Sequence, residues 1–222
     1  HYSDPMKSWL GKAEAKGIFV SRSSFIHSRM TLDSDEFQGF AIADPIAPFI
    51  FVNTDDWQSA QLFTLTHELA HLWIAQTGIS SDIGPSAADD NDIHPVERFC
   101  NQVAAIALMP AAFMNAIPKV AFTSLEEVYQ IAKKCGISSL AFIIRARQLG
   151  LISPSTFDQL KKKADDAFHS YIDREEAKQL AAKSREGGPN PHRMRTYRNG
   201  LSFCRLVMDT FRGGMIPPTL AS

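Results

Sequence analysis

Residues 57–76 read WQSAQLFTLTHELAHLWIAQ and are the most informative stretch of the chain. Thr54, Asp55 and Asp56 precede it as candidate N-caps and Gly78 follows as a stop signal, so the stretch predicts one long helix. Leucines recur along it at helical spacing, which gives the helix a substantial apolar side. We therefore expect a helix that packs inside the protein and carries polar residues among buried ones.

The centre of this helix contains the pattern HExxH, formed by His67, Glu68 and His71. Helix positions four apart lie one turn apart on one face, so both imidazoles can bind one metal ion. Glu68 can reach a water molecule at that ion and act as a general base. The alternative is a solvated helix face, which the second motif, described next, disfavours. The pattern predicts a catalytic zinc site with an open coordination position.

A third ligand is expected at the start of the next strong helix, predicted from Pro95 to about Met109. The candidates are His94 and Glu97. The residues after Phe99 are almost wholly apolar, so the helix must pack inside and its carboxylate needs a partner, which a metal supplies. We favour Glu97 as the ligand over a carboxylate that only stabilises the first helical turn. His94 is a candidate catalytic donor to the transition state; the alternative is a loop residue with no catalytic role.

The fold class follows from the patterns on either side of these helices. Residues 18–20, 39–43 and 49–52 are predicted strands, and the strong patterns after Gly78 are helical, down to a last helix at about residues 195–211. This layout predicts a helix-dominated α+β fold with a small N-terminal sheet. We expect the strand at 39–43 or that at 49–52 to offer an exposed edge to an extended substrate.

Turn signals divide the chain further. We assign residues 1–118 to the domain that contains the HExxH helix, with 1–5 as either an expression remnant or the middle of a longer chain, and 119–152 to a segment that resembles a helix-turn-helix. Residues 153–222 form a C-terminal helical region, interrupted by a linker at 186–191 that is rich in glycine and proline. Both ends look cut, so we expect the native protein to extend further.

The helix-turn-helix-like segment has capping residues at Ser124 and Ser138 and a break at Gly136. A DNA-binding helix-turn-helix would have polar side chains on its second helix, the recognition helix. Here that helix is mostly apolar, with Arg145 and Arg147 as its basic residues. We therefore favour a structural or substrate-docking role over DNA binding.

Composition excludes several classes of protein. The 222 residues carry a formal net charge of -1, which gives no global attraction to nucleic acid or to an anionic membrane. The apolar runs are too short to span a bilayer, which needs roughly 18 residues. The chain has three cysteines and no C-x-x-C pair, so we expect free thiols and a reducing, cytoplasmic location.

The motifs together resemble the ImmA/IrrE family of metallo-endopeptidases. The resemblance rests on FTLTHELAH at residues 63–71, ERFCNQVAA at 97–105 and LMP at 108–110. It implies a zincin-like domain in which His67, His71 and Glu97 bind the metal, usually zinc, with manganese as the alternative. Cys100 stands where the family often has alanine, which does not threaten the site.

The resemblance also implies a function. Members of this family cleave or inactivate helix-turn-helix transcriptional repressors and so relieve repression in stress responses or mobile-element induction. Glu68 would be the general base of such an endopeptidase. Two alternatives stay open at this point: a module that captures a repressor without cutting it, and a DNA-binding regulator.

Overall fold

The computed structural model describes residues 4–27, 30–80, 83–84, 93–182 and 191–221. Its elements in chain order are α1 (Pro5–Ala15), β1 (Phe19–Ser23), β2 (Phe25–His27), β3 (Met30–Thr31), β4 (Gly39–Ile42), β5 (Phe49–Asn53), α2 (Gln58–Trp73), β6 (Gly78–Ser80), α3 (Pro95–Leu108), α4 (Ala111–Asn115), α5 (Leu125–Cys135), α6 (Ser139–Gln148), α7 (Pro154–Ala182), α8 (Pro191–Asn199), α9 (Leu201–Arg212) and α10 (Pro218–Ala221). A 3-10 helix spans Lys119–Thr123. Helix accounts for 62% of the structure and a four-stranded mixed sheet is present, so the predicted helix-dominated α+β, zincin-like class is confirmed.

The chain forms two compact units. The first comprises Ser3–Ile83 with Pro189–Ser222 and holds α1, α2, the six strands and α8 to α10. The second comprises Gly84–Gly188, and its described part contains α3 to α7. The division into functional segments at residues 118 and 152 stays a prediction.

Among the described residues, no helix is both long enough and apolar enough to cross a membrane.

The main sheet has the strand order β1-β5-β4-β6, with β1 parallel to β5 and the other neighbours antiparallel. One face of this sheet packs on α2, with Ala41, Ile50 and Val52 at 0% exposure. Leu62 and Leu65 of α2 are also buried, at 1% and 0%. Burying these apolar side chains fixes α2 against the sheet, because each fully buried valine, leucine or isoleucine contributes about 1.5–3 kcal/mol.

The strand order contradicts one expectation about substrate binding. The predicted strands at 39–43 and 49–52 are confirmed as β4 and β5, but neither is an edge strand. β4 is paired with β5 and β6, and β5 is paired with β1 and β4, so the backbone groups of both are used within the sheet. The prediction that either strand offers an open edge was therefore wrong. In the described part of the sheet, the outer strands are β1 and β6.

The bounds of α2 also differ from expectation. The helix begins after Trp57, which has no side-chain cap bond, so residues 54–56 do not cap it as predicted. It ends at Trp73 rather than at residue 76, because Ala75 adopts a positive φ of 54°. The N–H of Gln76 donates to the carbonyl of His71 and closes the end of the helix. This early end frees Gly78–Ser80 to form β6, a strand that the sequence did not predict.

The single C-terminal helix predicted at residues 195–211 is two helices. Gly200 has φ 77°, a conformation that a side-chain-bearing residue rarely adopts, and it separates α8 from α9. The carboxylate of Glu14 in α1 accepts the N–H groups of Leu201 at 2.7 Å and Ser202 at 3.2 Å. A carboxylate at a helix N-terminus is stabilising because it satisfies amide groups that lack a partner in the helix.

Helix α8 packs against strand β1. The hydroxyl of Ser21 donates to the carbonyl of Arg198 at 2.8 Å. The guanidinium of Arg22 donates to the hydroxyl of Tyr197 at 2.8 Å and to the amide oxygen of Gln61 at 2.7 Å. The first unit is therefore completed by residues from the far end of the chain.

In the second unit, α5 and α6 pack together and are joined at Gly136, whose φ is 74°. The hydroxyl of Ser138 accepts the N–H of Ala141 at 3.1 Å and caps α6, as predicted. Ser124 occupies the N-cap position of α5, but its side chain makes no cap bond. Helix α6 buries Phe142 and Ile143 completely, which gives it a packing role in this unit.

Candidate active site

Helix α2 brings three of the predicted site residues together. His67, Glu68 and His71 are exposed by only 0%, 0% and 1%. Burying so many polar groups in one helix is costly unless each group has a partner. The hydroxyl of Thr66 meets this requirement locally, since it donates to helix carbonyls at 2.9 Å. The helix is thus buried around most of its circumference, beyond the apolar side predicted from its leucines.

The two imidazoles converge. The Nε2 atoms of His67 and His71 lie 3.2 Å apart. Two nitrogen ligands of a tetrahedral zinc ion, each about 2.0–2.1 Å from the metal, would be about 3.3 Å apart. The spacing of these two nitrogens therefore fits a shared divalent ion. Buried nitrogens at this spacing are also the donor type that zinc prefers.

Strand β6 faces the two histidines. The hydroxyl of Ser80 lies 3.4 Å from Nε2 of His67. A Cβ atom at Gly78 would lie 3.1 Å from Cε1 of His71, so the backbone of β6 rests against that ring. Such close approach restricts the orientation of the imidazole, which is a requirement for a preorganised ligand.

Glu68 lies against strand β4. A Cβ atom at Gly39 would be 3.3 Å from Oε1 of Glu68, 2.7 Å from Cγ2 of Thr64 and 2.8 Å from the carbonyl oxygen of Phe51. Real Cβ atoms do not approach backbone oxygens this closely, so only glycine fits at residue 39 without movement. The bare backbone of Gly39 allows the helix to approach the sheet and brings the carboxylate to β4.

Replacing Gly39 with alanine is expected to destabilise the protein by about 1–3 kcal/mol, because the added methyl group overpacks the contact between sheet and helix. Chemical denaturation measures this change. Gly11 lies inside α1 with nothing within 4 Å of its Cβ position, so Gly11→Ala is the matched control and should stabilise by about 0.5–1 kcal/mol. Equal effects of the two substitutions would contradict the tight contact at Gly39.

The other predicted site residues belong to the second unit. Glu97 is half-buried in the first turn of α3, which begins at Pro95. His94 is exposed and is the N-cap of this helix, with its Nδ1 accepting the N–H of Val96 at 3.3 Å. Cys100 and Asn101 are fully buried one turn further on, and the amide oxygen of Asn101 accepts the N–H of Gly84. The ligand role of Glu97 and the catalytic role of His94 stay predictions.

Sequence reasoning missed Gly39, Gly78 and Ser80 as site residues. Gly39 had a usable signal, because a glycine in a strand pattern often marks close backbone approach. The sequence pattern indicates a helix stop at Gly78 and assigns no role to Ser80. A strand of three residues carries too little periodicity to be recognised, so the position of Ser80 beside His67 could not be predicted.

Comparison with known proteins agrees with this arrangement. A search of curated proteins gives no significant match. The sequence model of a peptidase family, described as the IrrE N-terminal-like domain, matches residues 13–147. This match covers more than half of the chain and includes α2, the sheet and α3. The resemblance inferred from the motifs is therefore confirmed, and the chain belongs to the IrrE N-terminal-like family of metallopeptidases.

Proposed function

We propose that this member of a metallopeptidase family is a zinc-dependent endopeptidase that cleaves a helix-turn-helix transcriptional repressor. Cleavage would relieve repression in a stress response or during induction of a mobile element. The observation that carries the proposal is the pair of buried, converging imidazoles with the Glu68 carboxylate on the same helix. Zinc is the proposed metal and manganese the alternative.

In this proposal each residue has a defined task. His67 and His71 would hold the metal, with Glu97 as the third ligand. When bound, the metal would polarise the scissile carbonyl and lower the pKa of water. Glu68 accepts the proton of the attacking water and delivers it to the leaving amine. The bare backbone of Gly39 leaves room for this carboxylate beside β4.

His94 is the proposed donor to the transition state. Its Nδ1 accepts the N–H of Val96, so in the neutral imidazole the proton resides on Nε2 and is available for donation. The scissile segment would extend along β6, the outer strand next to the histidines. Strand addition there supplies main-chain hydrogen bonds without regard to side-chain identity.

The test is a cleavage assay with the helix-turn-helix repressor encoded nearest to this gene. Intact mass spectrometry should find two repressor fragments whose masses sum to the repressor plus one water. Chelation should abolish the fragments, and added zinc or manganese should restore them. Loss of repressor activity without any fragment would instead support a binding module that does not cut.

Metal removal is also expected to lower the thermal stability. A ligand whose free concentration is 100 times its dissociation constant stabilises the native state by about 2.7 kcal/mol. For a chain of this size, that corresponds to a rise in Tm of roughly 5–11 °C. Differential scanning calorimetry of the chelated and zinc-reconstituted protein measures the difference. An unchanged Tm at saturating zinc and manganese would contradict a metal site at the histidines.

A further inference from the structure

The face of the main sheet that points away from α2 carries a lattice of large apolar side chains. Cross-strand partners share a face of the sheet, so Phe40 shares this face with Phe51 on one side and Ile79 on the other. Ile42 pairs with Phe49 one step further along the same strands. These five residues, together with Phe37, are here called the phenylalanine face.

The aromatic rings of this face support one another. Phe40 and Phe51 are stacked, with ring centroids 5.5 Å apart and an angle of 7° between their planes. Phe37 lies 6.1 Å from Phe40 and 5.7 Å from Phe51, and Phe49 lies 5.8 Å from Phe40. Each such pair adds about 0.5–1.5 kcal/mol beyond simple burial. The rings are therefore held in place as a preformed surface.

This face is nevertheless open to solvent. Ile79 is 78% exposed and Ile42 is 42% exposed, and the phenylalanines are only half-buried. Ile46, in the turn between β4 and β5, is 91% exposed. Single exposed apolar residues need no explanation, but a contiguous patch with ordered aromatic rings marks a binding surface.

The charged residues on the strands and turns from β3 to β6 have one sign. The sequence contains no lysine or arginine between Arg29 and Arg98, a span that includes β3 to β6 and α2. The acidic residues in the turns of the sheet are Asp33, Asp35, Glu36, Asp44, Asp55 and Asp56. The N–H groups of Ala47 and Ile46 lower the pKa of Asp44, so this carboxylate is ionised at neutral pH.

The acids at one end of the strands lie close enough to influence one another. Burial raises the pKa of Asp56, hydrogen bonds from the N–H of Trp57 and from the side chain of Gln38 oppose this rise, and the charges of Asp55 and Asp35 add to it. On the β1 side of the sheet the helices α8 and α9, which pack on β1, carry basic residues: Arg195, Arg198, Arg205 and Arg212. The guanidinium of Arg198 lies over the ring of Phe25 and donates to the carbonyl of that residue. The turns that flank the phenylalanine face thus form an acidic rim.

We propose that the phenylalanine face, with its acidic rim, docks a basic amphipathic helix of the protein substrate. A helix is the favoured partner because most of the face lies on β4 and β5, whose backbone groups are already paired, so these two strands offer side chains and no free edge. Apolar side chains at positions i, i+3, i+4 and i+7 would lie on the rings, and lysines or arginines on its flanks would meet the rim.

Charge complementarity decides among the possible occupants. A second copy of this chain would bring two acidic rims together, and nucleic acid or an anionic membrane would be repelled in the same way. Assigning the helix to a substrate rests on the proposed function, whereas the chemistry of the docked helix follows from the face alone. A DNA-binding repressor carries basic surface and so has the required charge.

Two synthetic peptides of 18 residues, labelled with fluorescein, test the docking. Both peptides have leucine at the same helical positions, so that each helix has one apolar side. The remaining polar positions are lysine in one peptide and glutamate in the other. Fluorescence anisotropy with the Glu68→Gln protein avoids cleavage during the titration. We expect the lysine peptide to bind at least tenfold more tightly than the glutamate peptide, with an affinity that falls as salt is added.

Two variants locate the binding on this face. One variant is Ile79→Lys, at an exposed position, and the other combines Asp35→Lys with Glu36→Lys. Each should lower the affinity for the lysine peptide at least tenfold. The matched controls are Val120→Lys, at another exposed apolar residue, and the pair Asp158→Lys with Asp166→Lys on α7. The proposal is overturned if variants and controls behave alike, or if both peptides bind equally.

Other outcomes separate this proposal from the function it rests on. Concentration-dependent dimerisation that Ile79→Lys abolishes would assign the face to a second copy and overturn the docking proposal. Repressor cleavage that is unchanged in Ile79→Lys would also overturn substrate docking while leaving the peptidase function intact. Selective binding of the lysine peptide without any hydrolytic activity would support the docking surface and contradict the proposed function.

Discussion

Glu68→Gln is expected to lower kcat/KM for peptide hydrolysis by about 10²–10⁴-fold, the usual contribution of a general base. The amide keeps the size of the carboxylate and fits the same contact with Gly39, so the fold should be preserved. It cannot accept the proton of water at neutral pH. Hydrolysis of a quenched fluorescent peptide derived from the repressor measures the loss.

The control for this experiment is Glu127→Gln, which removes an exposed carboxylate from α5. Elemental analysis of both variants should find the metal content of the wild type, because Glu68 is not a proposed ligand. Repressor inactivation that survives Glu68→Gln with metal still bound would show that proton transfer by this residue is not needed. The capture of a repressor without cleavage would then be the better account.

His67→Gln is expected to have the second large effect, a loss of metal affinity of more than about 100-fold. Changes to groups that only orient a ligand cost about 10–100-fold, and removal of a ligand itself should cost more. Nε2 of His67 is one of two buried nitrogens at ligand spacing, and the amide of glutamine is a poorer ligand for zinc. Competition with a chromogenic zinc chelator measures the change in affinity.

His169→Gln is the matched control, since it replaces an exposed histidine on α7 whose Nδ1 lies 2.7 Å from the carbonyl oxygen of Asp165. Its zinc affinity should equal that of the wild type. If His67→Gln and the wild type compete equally with the chelator, the zinc is bound elsewhere on the chain. The paired imidazoles would then need another explanation, such as a structural hydrogen bond between the two rings.

Helix α2 could be predicted because several levels of information agree on it. The leucine spacing predicts a helix that packs inside the protein. The HExxH pattern places His67, Glu68 and His71 on that helix, and the apolar helix that follows is consistent with a buried site. Their near-complete burial was not predictable from the leucines alone, since the helix is also enclosed on its polar side. That enclosure comes from Gly39 and from Gly78, which act through backbone approach rather than through a recognisable side chain.

The sheet was harder to predict than the helices. Residues 49–52 are all apolar, so no alternation tells which side chains face α2 and which form the phenylalanine face. The order of the strands depends on partners distant in sequence, which is why the central positions of β4 and β5 were mistaken for edges. Gly200 illustrates a third limit, because one residue with positive φ divides an otherwise continuous helical pattern.

The hydrogen bonds between β1 and α8 have a consequence for synthesis of the protein on the ribosome. Ser21 and Arg198 are separated by 177 positions, and Arg22 and Tyr197 by 175. At the usual elongation rates of about 5–20 residues per second, the partner of β1 emerges roughly 10–35 s after the strand itself. During this interval β1 is an uncovered strand edge, the kind of surface that recruits other nascent chains. Slow elongation or a shortened C-terminus would therefore prolong the period in which a chaperone has to protect this strand.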